Sequence, residues 1–252
     1  MTIYNDLTKK ELSEILDVIQ SSIQCRAEED IRVLLDRIRG LVCGDFGICG
    51  IGKGKDSGEE GLSAPPHIIN LNYPMEWLQI YGANQLYYQD PIVIRNLSNP
   101  GSQLWDETYS MYDGKLSKLF LTSRDFGLNH GVSGGMYNQD SNTTTLFSFS
   151  GSGDWFKSHQ KKILGILAPH LHQALSRIYK TAQTNSRLGS LSKREREIVS
   201  WVKAGKTNWE ISMILNISER TVKFHVQNIE RKLEAVNKAH AVAILMEQGR
   251  LD

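Results

Sequence analysis

The segment Glu219–Leu233 carries side chains able to read nucleic acid if it forms a helix. At ~100° per residue, Val226, Ile229 and Leu233 fall within about 40° of Val222 and make one apolar stripe. Between about 100° and 200° on the same wheel lie Arg220, Lys223, Phe224, Gln227 and Arg231. A solvated face normally mixes charges of both signs and holds no phenylalanine. Lys and Arg reach guanine edges or phosphate, Gln pairs with adenine, and Phe meets a thymine methyl. Thr221, His225 and Asn228 flank this arc at angles suited to the DNA backbone. By face chemistry alone, a DNA-reading helix matches better than an ordinary solvated one.

Other residue groups fail on inspection. Gly50, Gly52 and Gly54 lead to Lys55, as in a phosphate loop, but Asp56 follows where Ser or Thr is needed. No helix opens there, and Asp56, Glu59 and Glu60 repel phosphate. His170 and His172 are two apart in a helical stretch, hence on different faces, and make no metal pair. The N-terminal histidines His67, His130, His159, His170 and His172 form no HxHxDH-like group, and no GxSxG elbow is present. An enzyme, such as a lactone hydrolase, is therefore not expected, nor is a metal or cofactor. Cys25, Cys43 and Cys49 are odd in number and scattered, which argues against a disulfide framework and for a reducing cytoplasm.

The elements that must position these residues fall into two groups. Amphipathic helices are expected near 8–24 and 28–40, then a strand at 45–51, a loop at 52–61 and a strand over His67–Leu71. A Pro-initiated helix follows from Pro74 to about Ala83, and another over Leu116–Phe126. Strands at 131–138 and 143–150 flank the turn NQDSN; in the second, Thr145, Phe147 and Phe149 share one face and Leu146, Ser148 and Ser150 the other. A helix from Trp155 to Lys180 contains Pro169, where a kink is expected. Strands among flanking helices point to a sheet covered by helices. The polar stretch 181–190 reads as an interdomain linker.

Beyond it, Ser192-x-x-Glu195 and Thr207-x-x-Glu210 are capping boxes, Gly205 is a helix stop, and Ser218 caps the next helix after the turn Asn216-Ile217-Ser218. A last helix is expected from Lys238 to Glu247. Short helices joined by a brief turn, within a four-helix set of ~60 residues, describe a helix-turn-helix. Charge separates along with the fold. Residues 187–252 hold 12 Lys and Arg against 8 Asp and Glu, while residues 1–186 hold 17 against 20. A mildly acidic body with a basic end suits a protein that touches phosphate at one end only.

The run LSKREREIVSWVKAGKTNWEISMILNISERTVKFHVQNIERKLEAVNKAHAVA resembles the LuxR-type helix-turn-helix over the whole of 190–248. The resemblance makes Glu195 and Gly205 signature positions, with Val199 where Leu is usual. It implies base contacts from Lys223 and Gln227 with Phe224 beside them. It implies phosphate or positioning roles for Thr207, Thr221, His225 and Asn228. Trp201, Trp209 and Ile217 are expected in the core.

Upstream, Tyr73-Pro-x-x-Trp77-x-x-x-Tyr81, Asp90-Pro91, Trp105 and Gly127-x-x-x-Gly131 occur in an order that resembles the autoinducer-binding domain of quorum-sensing LuxR-family receptors, over about 15–178. Taken singly, Tyr73, Trp77 and Tyr81 also fit plain core, and Asp90 a turn start. The resemblance implies an N-acyl-homoserine lactone ligand. Asp90 would accept its amide N–H and Trp77 donate to its lactone carbonyl, while Tyr73 and Ser148 hold acyl oxygens and Trp105 and Tyr81 supply walls. Ser150 shares the face of Ser148, so either hydroxyl fits.

The expectation is an α+β two-domain chain. An N-terminal α/β/α sandwich with a central, mainly antiparallel sheet (1–180) binds ligand and dimerises; a linker (181–190) leads to an all-α four-helix DNA-binding domain (191–252). The implied partners are the lactone, palindromic double-stranded promoter DNA, a second copy of the chain and, for an activator, RNA polymerase. A membrane partner is not expected. An orphan receptor of the same architecture, with another small molecule or none, is the alternative.

Overall fold

The computed structural model describes residues 6–54, 61–112, 122–153, 156–189 and 191–246. The chain divides into two compact units, Met1–Tyr179 and Lys180–Asp252.

The first unit is built on a five-stranded, fully antiparallel sheet of order β2-β1-β5-β4-β3. Its strands are β1 (Phe46–Lys53), β2 (His67–Asn70), β3 (Gly101–Leu104), β4 (His130–Asn138) and β5 (Thr143–Gly151). One face is covered by α1 (Lys9–Gln24), α2 (Glu28–Leu41) and α6 (Ser158–Gly189). Phe147 and Phe149 of β5 meet Val18 of α1, Leu35 of α2 and Leu164 and Leu167 of α6 there in one buried apolar cluster. The period-2 alternation of β5 puts Leu146 in a second cluster on the opposite face. That cluster is supplied by α3 (Met75–Ala83), α4 (Pro91–Ser98), α5 (Trp105–Tyr109) and the loops between them. Helices on both faces of one sheet make the expected α/β/α sandwich.

Thr8 caps α1 through a capping box with Glu11. The glycines weighed as a phosphate loop lie elsewhere: Gly50 and Gly52 are inside β1, and Gly54 bridges to Leu62. Most of the helix expected at Leu116–Phe126 lies outside the described residues, as do 55–60 and Trp155. Sequence reasoning passed over α4, β3 and α5. The helix expected to end at Lys180 runs on to Gly189, into the stretch read as a linker, because extending a nucleated helix costs little and no proline follows Lys180 there.

The second unit contains α7 (Lys193–Lys203), α8 (Asn208–Leu215), α9 (Glu219–Leu233) and α10 (Lys238–Met246). Ser192 and Thr207 both form the capping boxes read from the sequence. Gly205 follows α7 at φ +78°, a left-handed conformation that glycine adopts without a Cβ penalty. Asn216 ends α8 in the same region, and the Ser218 hydroxyl accepts from Thr221 N–H to start α9. Ile198, Ile211, Val222, Val226, Ile229 and Leu233 close a core. Glu195, only 4% exposed, accepts from Lys232 Nζ at 2.7 Å and from Ser192 N–H at 2.7 Å. That carboxylate ties the start of α7 to the end of α9. Cys25 and Cys49 are buried and Cys43 is exposed.

Candidate ligand cavity and DNA-facing helix

Between the sheet face of Leu146 and the helices α3–α5 lies a cavity of about 590 Å³. All six residues singled out for ligand binding line it: Tyr73, Trp77, Tyr81, Asp90, Trp105 and Ser148.

Trp77 and Tyr81 are four apart on α3, so they share a helix face, with ring centroids 5.7 Å apart. Phe126 stands 5.8 Å from Trp77 on another side. Trp77 is 5% exposed, and its indole N–H has no partner among the described residues. Tyr73 precedes α3 and is fixed by Asn70, whose side chain accepts from Tyr73 N–H at 2.8 Å and donates to its carbonyl at 3.1 Å.

Asp90 is the N-cap of α4, with Pro91 at the first helical position. One carboxylate oxygen accepts from Ile92 N–H at 2.8 Å, the other from the Tyr81 hydroxyl at 2.9 Å. Burial pushes the carboxyl above its ordinary value, and these hydrogen bonds pull it back. Burial, with Asp90 nearby, holds the Tyr81 hydroxyl protonated. With Ile92, Tyr81 and Val93 as donors, the carboxylate keeps capacity for one more.

Trp105 opens α5 and donates its indole N–H to Ser133 Oγ at 2.8 Å. Its ring lies flat against β4. A Cβ on Gly131 would come within 2.6 Å of that ring and 2.8 Å of Phe149 O, so only glycine fits there. Gly127 turns the chain at φ +79°. The spaced glycine pair thus has a steric cause at both positions.

Ser148 and Ser150 are placed differently. Ser148 lines the cavity, whereas Ser150 is fully buried and reaches the Tyr73 hydroxyl at 2.9 Å. Sequence reasoning missed Tyr87, Ile92, Asn96, Tyr109, Leu128 and Thr144, which also line the space. One signal was available: Asp90-Pro91 is an N-cap followed by proline, and a helix begun there brings Ile92 and Asn96 to one face.

In the second unit, Arg220, Lys223, Phe224, Gln227 and Arg231 are all exposed on α9, opposite the buried Val222, Val226, Ile229 and Leu233. Phe224 is 59% exposed. Thr207 caps α8 and is exposed; Thr221, His225 and Asn228 are half-buried. The Thr221 and Ser218 hydroxyls meet at 2.7 Å, and Asn228 accepts from Arg231 at 3.1 Å. Trp201 and Ile217 pack against the core as expected. Trp209 does not. It is 61% exposed, because the inward positions of this eight-residue helix are taken by Ile211 and Ser212.

Among the described residues no group of three metal-ligating side chains occurs, and no helix is long and apolar enough to cross a membrane. The family model described as autoinducer binding domain matches residues 41–175, and that of bacterial regulatory proteins, luxR family, matches 189–245. The chain is 30% identical to the transcriptional activator protein EchR of Dickeya chrysanthemi, over 72% of this chain and 78% of that one. Crystalline Escherichia coli SdiA shares the fold with a TM-score of 0.54 at 23% identity, over 96% of this chain and 99% of SdiA. SdiA in complex with octanoyl-rac-glycerol gives 0.55 at 22% identity, over 96% and 97%. The chain belongs to the luxR family of bacterial regulatory proteins, as a transcriptional regulator with an autoinducer-binding domain rather than an enzyme.

Proposed function

We propose that the first unit binds an N-acyl-homoserine lactone and that the chain, as a homodimer, binds pseudo-palindromic promoter DNA through α9. The observation that carries the ligand reading is the pairing of Trp77 and Asp90. An indole N–H without a partner among the described residues and a carboxylate with spare acceptor capacity face one cavity whose other walls are mostly apolar. The lactone carbonyl accepts from Trp77, the amide N–H donates to Asp90, and Tyr73 and Ser148 serve the acyl oxygens, with the tail among aromatic and aliphatic walls. The volume of about 590 Å³ lies within the ~300–1,000 Å³ usual for small-molecule sites. Ligand that binds only the folded state stabilises it by mass action, which couples lactone concentration to active protein. On DNA, Lys223 and Gln227 read bases with Phe224 beside them, and Arg220, Arg231, Thr207, Thr221, His225 and Asn228 hold the backbone. A two-fold dimer sets the two copies of α9 about one DNA turn apart.

Mass spectrometry of the small molecule carried by purified full-length protein tests the ligand class. An acyl-homoserine lactone is expected, and Asp90→Ala should abolish the transcriptional response to it. The octanoyl-rac-glycerol bound to SdiA favours one second reading, an acylated polyol whose hydroxyl donates to Asp90. Recovery of such a molecule, or of none, would replace the lactone.

A further inference from the structure

The hydroxyls of Tyr73 and Ser148 can each donate or accept, so their proton positions decide what a ligand must offer them. Behind each stands a serine on the sheet that does not line the cavity. Ser133 of β4 lies directly opposite Ser148 of β5, with their Oγ atoms 2.7 Å apart. Ser150, two residues along β5, sits 2.9 Å from the Tyr73 hydroxyl. Both Ser133 and Ser150 are 0% exposed.

We propose that Ser133 and Ser150 are positioning residues that commit the hydroxyls of Ser148 and Tyr73 to donating into the cavity. Ser133 accepts from the Trp105 indole, which can only donate. Among the described residues, the one other side-chain hydrogen bond of Ser133 is with Ser148. If Ser148 donated to Ser133, the Ser133 proton would be buried without an acceptor, an arrangement protein interiors avoid. Ser133 therefore donates, and the Ser148 proton is left to the cavity. The same elimination holds for the second pair. Among the described residues Tyr73 is the one side-chain hydrogen-bond partner of Ser150, so Ser150 donates and the phenol proton turns to the ligand. Burial keeps that phenol protonated.

Of the four polar groups assigned to the ligand, three then donate and Asp90 alone accepts. This matches a molecule rich in carbonyl oxygens with a single N–H, and it disfavours one that must donate to Ser148 or Tyr73. The ligand part of this inference rests on the lactone reading above; the proton arrangement does not.

Neutron diffraction from crystals of the full chain grown in D2O tests the arrangement directly. Deuterium is expected on Ser133 Oγ aimed at Ser148, and on Ser150 Oγ aimed at Tyr73; the reverse direction at either pair overturns the proposal for that pair. Binding of N-octanoyl-homoserine lactone tests the consequence. Ser133→Ala should weaken it about tenfold, a single hydrogen bond's worth, and add nothing in a Ser148→Ala background. Ser133→Thr, which keeps the hydroxyl, should restore most of the loss. The N-octyl amine analogue, which lacks the acyl carbonyl, should not distinguish Ser133→Ala from the unaltered protein. Equal losses in both backgrounds would reduce Ser133 to a packing residue. If the unaltered protein binds no lactone, the lactone reading fails while the deuterium positions still judge the relay.

Discussion

The two faces of the central sheet are built by opposite rules from the same strands. On β5, Phe147 and Phe149 turn to α1, α2 and α6 and are fully buried in a filled apolar layer. The residues alternating with them, Leu146 and Ser148, turn to a space of about 590 Å³ ringed by aromatic side chains and polar groups. The filled face carries a large share of the folding energy, since it removes apolar surface from water without help. The cavity face gives up that packing: Gly50, Gly52 and Ser148 are small where they line it, and what they leave open is available to a ligand. Each buried methylene of such a ligand returns ~0.8 kcal/mol, so occupancy completes a core that the chain leaves unfinished.

Truncation on each face should separate the two. Phe147→Ala removes a ring from the filled layer and is expected to cost ~3–5 kcal/mol, a large part of the stability of a domain this size. Chemical denaturation of the full chain would read this as a much lower midpoint; a loss under ~1 kcal/mol would mean the layer is not the stabilising face. Gly131→Ala should come next, at ~1–3 kcal/mol, because its methyl must displace the Trp105 ring or strand β5. Its mark is a joint loss of stability and ligand affinity, since Trp105 belongs to the cavity wall. Ser148→Ala, by contrast, should lower the melting temperature by less than Phe147→Ala, since it only leaves the buried Ser133 proton without its acceptor, and should weaken lactone binding about tenfold. A Ser148→Ala protein that melts as early as Phe147→Ala would erase the distinction between the faces.

How much of this was legible in the sequence follows from the same contrast. The alternation of Phe147 and Phe149 with Leu146 and Ser148 announces two faces, and the capping boxes at Ser192 and Thr207 fix helix starts because their hydrogen bonds are local. The exposed arc of α9 is legible for the same reason, as one periodicity sorts buried from outward residues. What escaped depends on contacts between distant segments. Asn96 reaches Thr144 and the Thr145 carbonyl across 48 and 49 residues. Ser133 acquires its role only when β4 pairs with β5 and Trp105 packs on both. Trp209 was misplaced because residue type suggested burial, while a short helix has room inward for few of its side chains. The helical course of 181–189 escaped because polar composition marks exposure and not coil.

The smallest expected effect is also the one that compares the faces within a single titration. On the filled face, Glu11 of α1 accepts from His159 of α6 at 2.7 Å and from Thr8, and these bonds hold its carboxyl at about 2 against an ordinary 4.5. A depressed carboxyl stabilises the fold above its unfolded value, and that contribution drains away as pH falls from 4.5 toward 2. On the cavity face the sign is reversed. Burial raises Asp90 above its ordinary 3.8, so its charge costs folding energy at neutral pH and protonation relieves that cost. Protonation also replaces a charge-assisted acceptor by a neutral one, about half as strong toward an amide N–H. Lactone affinity should therefore begin to fall with acidification above pH 3.8, while the fold holds. Asp90→Asn should bind more weakly and show a flat profile. Glu11→Gln should leave that profile unchanged and remove part of the acid slope in stability. Affinity that stays constant until the protein unfolds, followed by lactone titration and circular dichroism on one sample, would mean that Asp90 does not hold the ligand as its carboxylate.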